Sequence, residues 1–415
     1  MRTRLILSLA LSLALVAPAA AQLAPLPVGG VLGNVSSDVT GMLGRATGQI
    51  DASVGGIVGD AAHLAEARLD RLAALVRRNA DAIERDAAGD PARRGELLLT
   101  GPTPAEIDRS RQAGYTVLGR DRFDALDIDV VRLGVPRGES LRKAQAALAR
   151  LLPGAEISAD TLHFQSGRTM PGGTLRPAPA VARPIATKVG VIDGAPGDFA
   201  TIAEQRGFAS GAPVGSNHGS AVVSLLQNAG VHRIAVADVY GTDRAGGNAL
   251  AIARALDWLV GTGARVVTIS LVGPANPLLG KAIAAAGRKG ITIVGAVGND
   301  GPAAPPAYPA SYPGVLAVTG VDGHDRPLIE AGRAQHLDYA APGGDMLAAN
   351  AAGRWVPVRG TSFAAPLVAA RAAAALDLAR DVVGTLDREA RRIGAGRQAL
   401  AYGRGLLCEG CRRTH

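Results

Sequence analysis

Four polar residues of this sequence have side chains that could together cut a peptide bond. Asp193 directly follows the apolar run 189–192, and Asn299 follows a second apolar run. His218 and Ser362 each open a run that predicts a helix. A serine hydroxyl becomes a nucleophile when an adjacent base removes its proton, and histidine can take and return that proton. A carboxylate can orient the imidazole, and an amide can stabilise the oxyanion.

The elements around these residues predict where their side chains meet. Beyond residue 186, short apolar runs alternate with helical patterns, which predicts a parallel sheet covered by helices on both faces. In such sheets, sites form where strands end and loops converge. Taken singly, Asp193 and His218 are weak signals, because many strands end in aspartate for turn reasons and a lone histidine is more often structural.

The order and local context of the four residues resemble those of the subtilase family. The most specific segment is the motif G-T-S-x-A-x-P, which is present at residues 360–366. The resemblance covers residues 185–406 and implies a subtilisin-like α/β fold. It also implies that Ser362 is the nucleophile, His218 the general base and acid, and Asp193 the acid that orients the imidazole. Asn299 and the backbone N–H of Ser362 would stabilise the oxyanion.

A second resemblance concerns the substrate. Residues 270–273 (Ser270, Leu271, Val272 and Gly273) are similar to the family's substrate-binding strand, whose exposed edge pairs with an extended peptide. Val272 stands where the family usually has glycine, so we expect a narrow pocket for the residue before the cut bond. Gly194 stands where the family commonly has a hydroxyl residue. No Asp-rich loop has the spacing of a calcium site, so we expect no metal and no cofactor.

The segment 95–165 precedes this region. Its predicted element order, βαββαβ, favours a small ferredoxin-like α+β domain, with a capping box from Thr103 to Glu106 at its first helix. Its position resembles that of the propeptide that assists folding of subtilases and blocks their cleft. The chain would then be a zymogen that cuts itself in the Pro- and Gly-rich linker 166–184. The alternative is a domain that stays attached.

The N-terminus predicts export. Arg2 and Arg4, the apolar run 5–17 and the alanines before Gln22 indicate a signal peptide over residues 1–21. The apolar run itself is too short to span a membrane. We therefore expect a periplasmic or secreted protein. Residues 22–94 contain a Gly- and Ala-rich lead-in and an amphipathic helix over 61–86, whose partner we expect within the same protein.

Composition excludes several function classes. A net charge of +8 would suit an anionic partner, but the arginines are scattered among acids without interleaved aromatic residues. We expect neither nucleic-acid binding nor a membrane span. Cys408 and Cys411, in the tail 407–415, favour a local disulfide over a redox site or half of a zinc site.

Together these features predict an exported serine endopeptidase acting on extended protein or peptide substrates. One alternative is a catalytically silent module with the same fold that binds peptides. Another is an esterase using the same triad, although the G-x-S-x-G elbow of the α/β-hydrolases is missing.

Overall fold

The computed structural model of the protein describes residues 52–170 and 183–411. The expected signal peptide, most of the lead-in, residues 171–182 of the linker and the last four residues of the tail lie outside this part. Contacts assign the described residues from Ile57 onward to one compact unit, to which the following applies. No single helix in the described ranges is long and apolar enough to cross a membrane.

The first elements are a long helix and a small antiparallel sheet with two helices. Strands β4 and β5 flank β2, β3 lies beside β4, and β1 pairs with the start of β2. The helices are α1 (Ala52–Arg78), α2 (Pro104–Gln112) and α3 (Leu141–Leu151). The strands are β1 (Ile83–Arg85), β2 (Pro91–Thr100), β3 (Thr116–Phe123), β4 (Ile128–Gly134) and β5 (Glu156–Thr161).

Local sequence signals explain much of this region. The capping box is present, since Thr103 accepts a hydrogen bond from the Glu106 N–H and the Glu106 side chain accepts one from the Thr103 N–H. Helix α1 begins earlier than the predicted 61–86 and ends at Arg78. Beyond it the chain turns, and buried Ile83 pairs with Arg93 in the sheet. Strand pairing therefore overrides the helical periodicity at residue 83.

The last strand of the small sheet also differs from the prediction. The sheet closes with β5, whereas we expected its last strand over 161–165. Phe164–Gln165 forms a separate strand, β6, and Arg168–Thr169 forms β7; both pair with strands that follow in the chain. Residues 164–169 therefore leave the small sheet and contact the second, larger part of the unit.

That larger part contains a seven-stranded sheet, in which every neighbouring pair is parallel. The strand order is β15-β14-β13-β11-β8-β10-β9. These strands are β8 (Val189–Asp193), β9 (Glu204–Gly207), β10 (Ile234–Asp238), β11 (Val266–Ile269), β13 (Thr292–Ala296), β14 (Val315–Val321) and β15 (Tyr339–Pro342). Three short strands lie outside it: β12 (Leu271–Val272), β16 (Met346–Ala349) and β17 (Trp355–Arg359).

Helices cover both faces of the parallel sheet, which confirms the predicted architecture. Helices α4 and α7 share one hydrophobic core with the sheet, and α5 and α6 share the other. The helices are α4 (Asn217–Asn228), α5 (Ala249–Gly261), α6 (Pro277–Arg288), α7 (Thr361–Asp377) and α8 (Val382–Glu389). Two 3₁₀ turns follow, Gly396–Tyr402 and Glu409–Cys411, and a disulfide joins Cys408 to Cys411.

The small sheet packs against α5 and α6, and its side chains and carbonyls satisfy the N-termini of those helices. The carboxylate of Asp160 accepts a hydrogen bond from the Leu250 N–H at 2.9 Å. Asn276, the N-cap of α6, donates its side-chain amide to the carbonyl of Ala159 at 2.9 Å. Helix N-termini have unpaired N–H groups and a positive dipole end, so an acidic side chain stabilises them. This docking places β6 and β7 beside the carboxyl edge of the parallel sheet.

Candidate active site

The structure brings Asp193 and His218 into direct contact at the edge of the parallel sheet. Asp193 is the last residue of β8, and His218 lies in the first turn of α4. The Nδ1 of His218 lies 2.8 Å from one carboxylate oxygen of Asp193 and 3.0 Å from the other. Both side chains are buried. With Nδ1–H donated to Asp193, the unprotonated Nε2 can accept a proton.

The turn that carries His218 is itself held in place. Ser216 is the N-cap of α4, and its hydroxyl accepts a hydrogen bond from the Gly219 N–H at 3.0 Å. The Nε2 of His218 is buried and has no hydrogen-bond partner among the described residues. A buried unpaired ring nitrogen is costly, so it marks a place where a reacting group belongs.

Ser362 lies in the first turn of α7 and faces a backbone segment of the same chain. Its hydroxyl contacts the carbonyl oxygen of Ser166, lies 2.6 Å from the Ser166 hydroxyl and is 3.0 Å from the carbonyl of Ser270. Its backbone N–H donates to the Ser166 carbonyl at 3.2 Å. The N-terminus of α7 therefore supplies a donor to the carbonyl that its own serine contacts.

Asn299 lies in the loop after β13, next to the same carbonyl. Its Oδ1 accepts a hydrogen bond from the Thr361 N–H at 3.0 Å, while its Nδ2 is buried without a partner among the described residues. A methyl group on Gly360 would lie 2.7 Å from this Nδ2 and 3.1 Å from the Ser166 oxygen. Glycine at 360, with φ of 144°, is thus required for the amide and the carbonyl to approach.

Residues 162–169 cross the cleft as an extended chain. Strand β6 pairs antiparallel with β12, and the His163 N–H donates to the Gly247 carbonyl at 2.8 Å on the other side. Beyond Gly167, β7 pairs antiparallel with β17. A methyl group on Gly167 would lie 2.7 Å from the Phe363 ring and 3.4 Å from His218 Nε2. The Ser166–Gly167 peptide therefore lies between Ser362 and His218.

The predicted substrate strand contacts this segment along its length. Leu271 and Val272 pair with Gln165 and Phe164, and the Ser270 carbonyl lies 3.5 Å from the Ser166 nitrogen. A methyl group on Gly273 would lie 2.6 Å from the His163 ring, so this position has no room for a side chain. The side chain of Val272 packs against Gly298, one residue before Asn299.

Four residues that occupy the cleft were not predicted to lie there: His163, Gln165, Ser166 and Gly167. The available signal was their position, at the junction between a predicted strand and a linker rich in proline and glycine. The imidazole of His163 is fully buried, and neither ring nitrogen has a hydrogen-bond partner among the described residues. Burial disfavours the imidazolium and lowers the pKa of His163 to about 4.

Helix α1, whose partner the sequence left open, contacts both the cleft segment and the loop of Asn299. Arg68 donates to Asp300 at 3.1 Å, and Arg71 pairs with the other oxygen of the same carboxylate. Leu64 lies against Gly301. Near its C-terminal end the helix joins a small apolar cluster that includes side chains of the cleft segment, namely Leu75 and Val76 with Ile83, Leu162, Phe164 and Ala245.

Within residues 52–170 and 183–411, no group of three or more His, Cys, Asp or Glu side chains is arranged to hold a metal ion.

Comparison with known proteins gives matches that include three of the four residues. The model of the subtilase family matches residues 202–389, which contain His218, Asn299 and Ser362; Asp193 precedes this range. Subtilisin DY of Bacillus licheniformis is 29% identical over 195 residues, covering 45% of this chain and 69% of that protein. The thermostable alkaline protease of Halalkalibacterium halodurans is 32% identical over 165 residues, covering 38% of this chain and 45% of that protein.

Solved structures share the fold at low sequence identity. Fervidolysin from Fervidobacterium pennivorans, a keratinolytic enzyme related to subtilisin, aligns with a TM-score of 0.63 at 15% identity, covering 77% of this chain and 61% of that chain. The epidermin leader peptide processing serine protease of Staphylococcus aureus aligns with a TM-score of 0.60 at 16% identity, covering 76% of this chain and 97% of that chain. Residues 202–389 are therefore similar to the subtilase family, and the solved structures share the subtilisin-like fold.

Proposed function

We propose that Ser362, His218 and Asp193 form the catalytic triad of an endopeptidase whose first substrate is its own Ser166–Gly167 bond. One observation carries the proposal: the Ser166 carbonyl contacts the Ser362 hydroxyl and accepts a hydrogen bond from the Ser362 N–H at 3.2 Å. The hydroxyl of Ser362 thus lies against the carbonyl group of this bond, whose oxygen is held by a backbone donor, and these two contacts support attack at this carbonyl.

The first half of the reaction follows from these contacts. Ser362 Oγ attacks the Ser166 carbonyl carbon while His218 Nε2 takes the hydroxyl proton, and Asp193 stabilises the imidazolium. Negative charge develops on the Ser166 oxygen, where the Ser362 N–H and the unpaired amide of Asn299 donate. Asn299 holds its amide ready because its Oδ1 is fixed by the Thr361 N–H.

In the second half the carbon–nitrogen bond breaks. His218 Nε2 returns its proton to the nitrogen of Gly167, which leaves as a new amino terminus, and Ser166 remains as an ester of Ser362. A water molecule, deprotonated by His218, then attacks this ester and releases the Ser166 carboxylate. The position of Nε2 near Gly167 supports its role as the acid for this leaving amine.

The segment before the cut bond acts as a propeptide. Its central strands lie in the order β5-β2-β4-β3, as expected of a ferredoxin-like βαββαβ domain, and it caps the helices α5 and α6. The proposed cut falls at the start of the linker 166–184, so the chain up to Ser166, which includes α1 and residues 95–165, leaves as the inhibitory part. Strand β6 blocks the cleft until they do.

We also propose that the chain is exported. The signal pattern of residues 1–21 supports this, as does the Cys408–Cys411 disulfide, since disulfides persist mainly in oxidising compartments. The mature enzyme would then cleave extended peptides that pair with the edge of β12. N-terminal sequencing of the Ser362→Ala variant produced with its leader tests export, because this variant stays uncut at Ser166–Gly167 and removal of the signal leaves Gln22 or a neighbouring residue first.

The test of self-cleavage compares the intact masses of the full chain and its Ser362→Ala variant, each expressed without the signal. We expect the wild-type chain to give a fragment that begins at Gly167 and to cleave added peptides, and the variant to do neither. If the variant matures equally, self-cleavage is wrong. If both chains are folded, uncut and inactive, the silent peptide-binding module replaces this proposal.

A further inference from the structure

We infer that the cleft selects glutamine as the second residue before the cut bond, and that the buried carboxylate of Asp193 makes the selection through a gap left by Gly194. This inference rests on the proposed function, because it assigns a specificity to that same site. The occupant of this position in the structure is Gln165, whose Nε2 donates to Asp193 Oδ1 at 2.8 Å.

The partner of this amide is unusual for a substrate side chain. Asp193 has no exposed surface, and its oxygens also accept from His218 Nδ1 and from the Gly194 N–H at 2.7 Å. A carboxylate offers about four lone-pair sites, so the amide of Gln165 adds to these bonds without replacing one. A hydrogen bond to an ionised acceptor in a buried site is among the stronger kinds.

The chemistry of the contact discriminates between side chains of nearly equal size. Glutamine donates to the carboxylate. Methionine has a similar length but no donor, so it leaves this acceptor position unfilled. Glutamate would place a second carboxylate against Asp193, and two like charges this close disfavour each other. The order of preference is therefore Gln before Met before Glu.

Gly194 is what allows the amide to reach Asp193. A methyl group at 194 would lie 2.5 Å from the hydroxyl oxygen of Ser216 and 3.4 Å from Gln165 Nε2. Any side chain there must displace Ser216, which caps α4, or crowd the amide of Gln165. The hydroxyl residue that subtilases commonly have at this position would occupy the same space.

The experiment uses the full chain after its own processing and octapeptides with the sequence of residues 162–169. Three peptides carry Gln, Met or Glu at the position of Gln165. We expect kcat/KM for Gln to exceed that for Met by about tenfold to a hundredfold, mostly through KM because the contact exists before the bond is cut. Glu should be lower still. Equal values for the three peptides would overturn the inference alone; no cleavage of any would overturn the proposed function and the inference with it.

A pair of variants tests the role of Gly194. Gly194→Ala should reduce the ratio of Gln to Met turnover toward one. Gly215→Ala is the matched control. A methyl group there would lie 3.5 Å from its nearest neighbour, so it is far less crowded than a methyl group at position 194. We expect it to keep the wild-type ratio. A general loss of activity from displacing Ser216 would lower turnover of both peptides and so cancels in the ratio of Gln to Met turnover. If that ratio were unchanged in Gly194→Ala, Gly194 would not create the preference.

Discussion

Low pH should weaken the binding of a peptide that has histidine at the position of His163. The structure keeps that imidazole fully buried, and neither ring nitrogen has a hydrogen-bond partner in the described part of the chain; its pKa falls to about 4 from the ordinary value of 6.5. In water the free peptide binds a proton below about pH 6.5, whereas the bound imidazole stays neutral. Binding is therefore complete above about pH 6.5 and weakens as the pH falls toward about 4.

The size of the effect follows from the two pKa values. At pH 5 about 97% of the free imidazole is protonated but only about 10% of the bound one, which disfavours binding about 30-fold. This factor corresponds to about 2 kcal/mol. Above pH 7.5 the same calculation gives almost no effect, because both forms are neutral. The carboxyl of Asp160, whose pKa burial raises to about 7, titrates in part of the same window but is not part of a peptide of residues 162–169.

The assay compares two octapeptides of residues 162–169, one with His and one with Phe at the position of His163. The ratio of their KM values is measured at pH 7.5 and at pH 5 with the same processed enzyme. Any effect of pH on the enzyme that is common to both peptides cancels in the ratio. We expect the KM of the His peptide to rise about 30-fold relative to the Phe peptide at pH 5. A ratio that stays constant with pH would refute the burial of a neutral imidazole in this pocket.

Three further substitutions follow from contacts at the bond. Gly167→Ala should slow self-cleavage strongly, because the added methyl group would lie 2.7 Å from the Phe363 ring; intact mass over time measures this, and normal kinetics would contradict the placement. Val272→Gly should broaden cleavage toward bulky residues before the cut bond, because it removes the side chain packed on Gly298; an unchanged peptide profile would refute it. Asn299→Ala should lower kcat by about 10²–10³ with little change in KM, the range known for the corresponding amide of a subtilisin. Steady-state kinetics would contradict the oxyanion role if kcat were retained.

The parallel sheet and the positions of its polar residues could be predicted because their signals are local. Each buried strand is a short run of apolar residues, and Asp193 and Asn299 stand directly after such runs. The Gly-Thr-Ser motif opens a helix, so Ser362 lies in a first turn. Local pattern is enough here because the topology of a parallel sheet brings the ends of its strands to one edge.

The occupant of the cleft could not be predicted in the same way. The alternation near residues 161–165 indicates an extended chain, and Phe164–Gln165 is indeed a strand. Its partner, however, is Leu271–Val272, more than a hundred residues away, rather than the small sheet. Strand propensity reports a pleated backbone but carries no information about which edge that backbone will join. For the same reason the periodicity of α1 gave its apolar face but not the ion pairs of Arg68 and Arg71.

The ion pairs between α1 and Asp300 bear on the proposed self-cleavage, because we expect cleavage and activation to be separate steps. Cutting the Ser166–Gly167 bond would remove the covalent link and would leave the ion pairs of Arg68 and Arg71 with Asp300, beside Asn299, in place. Arg71 has 61% of its side chain exposed, and ions screen such pairs over about 10 Å at 0.1 M salt. The lag between chain cleavage and the first turnover of an added peptide should therefore shorten as ionic strength rises. The salt concentration around the enzyme would then determine how soon it becomes active.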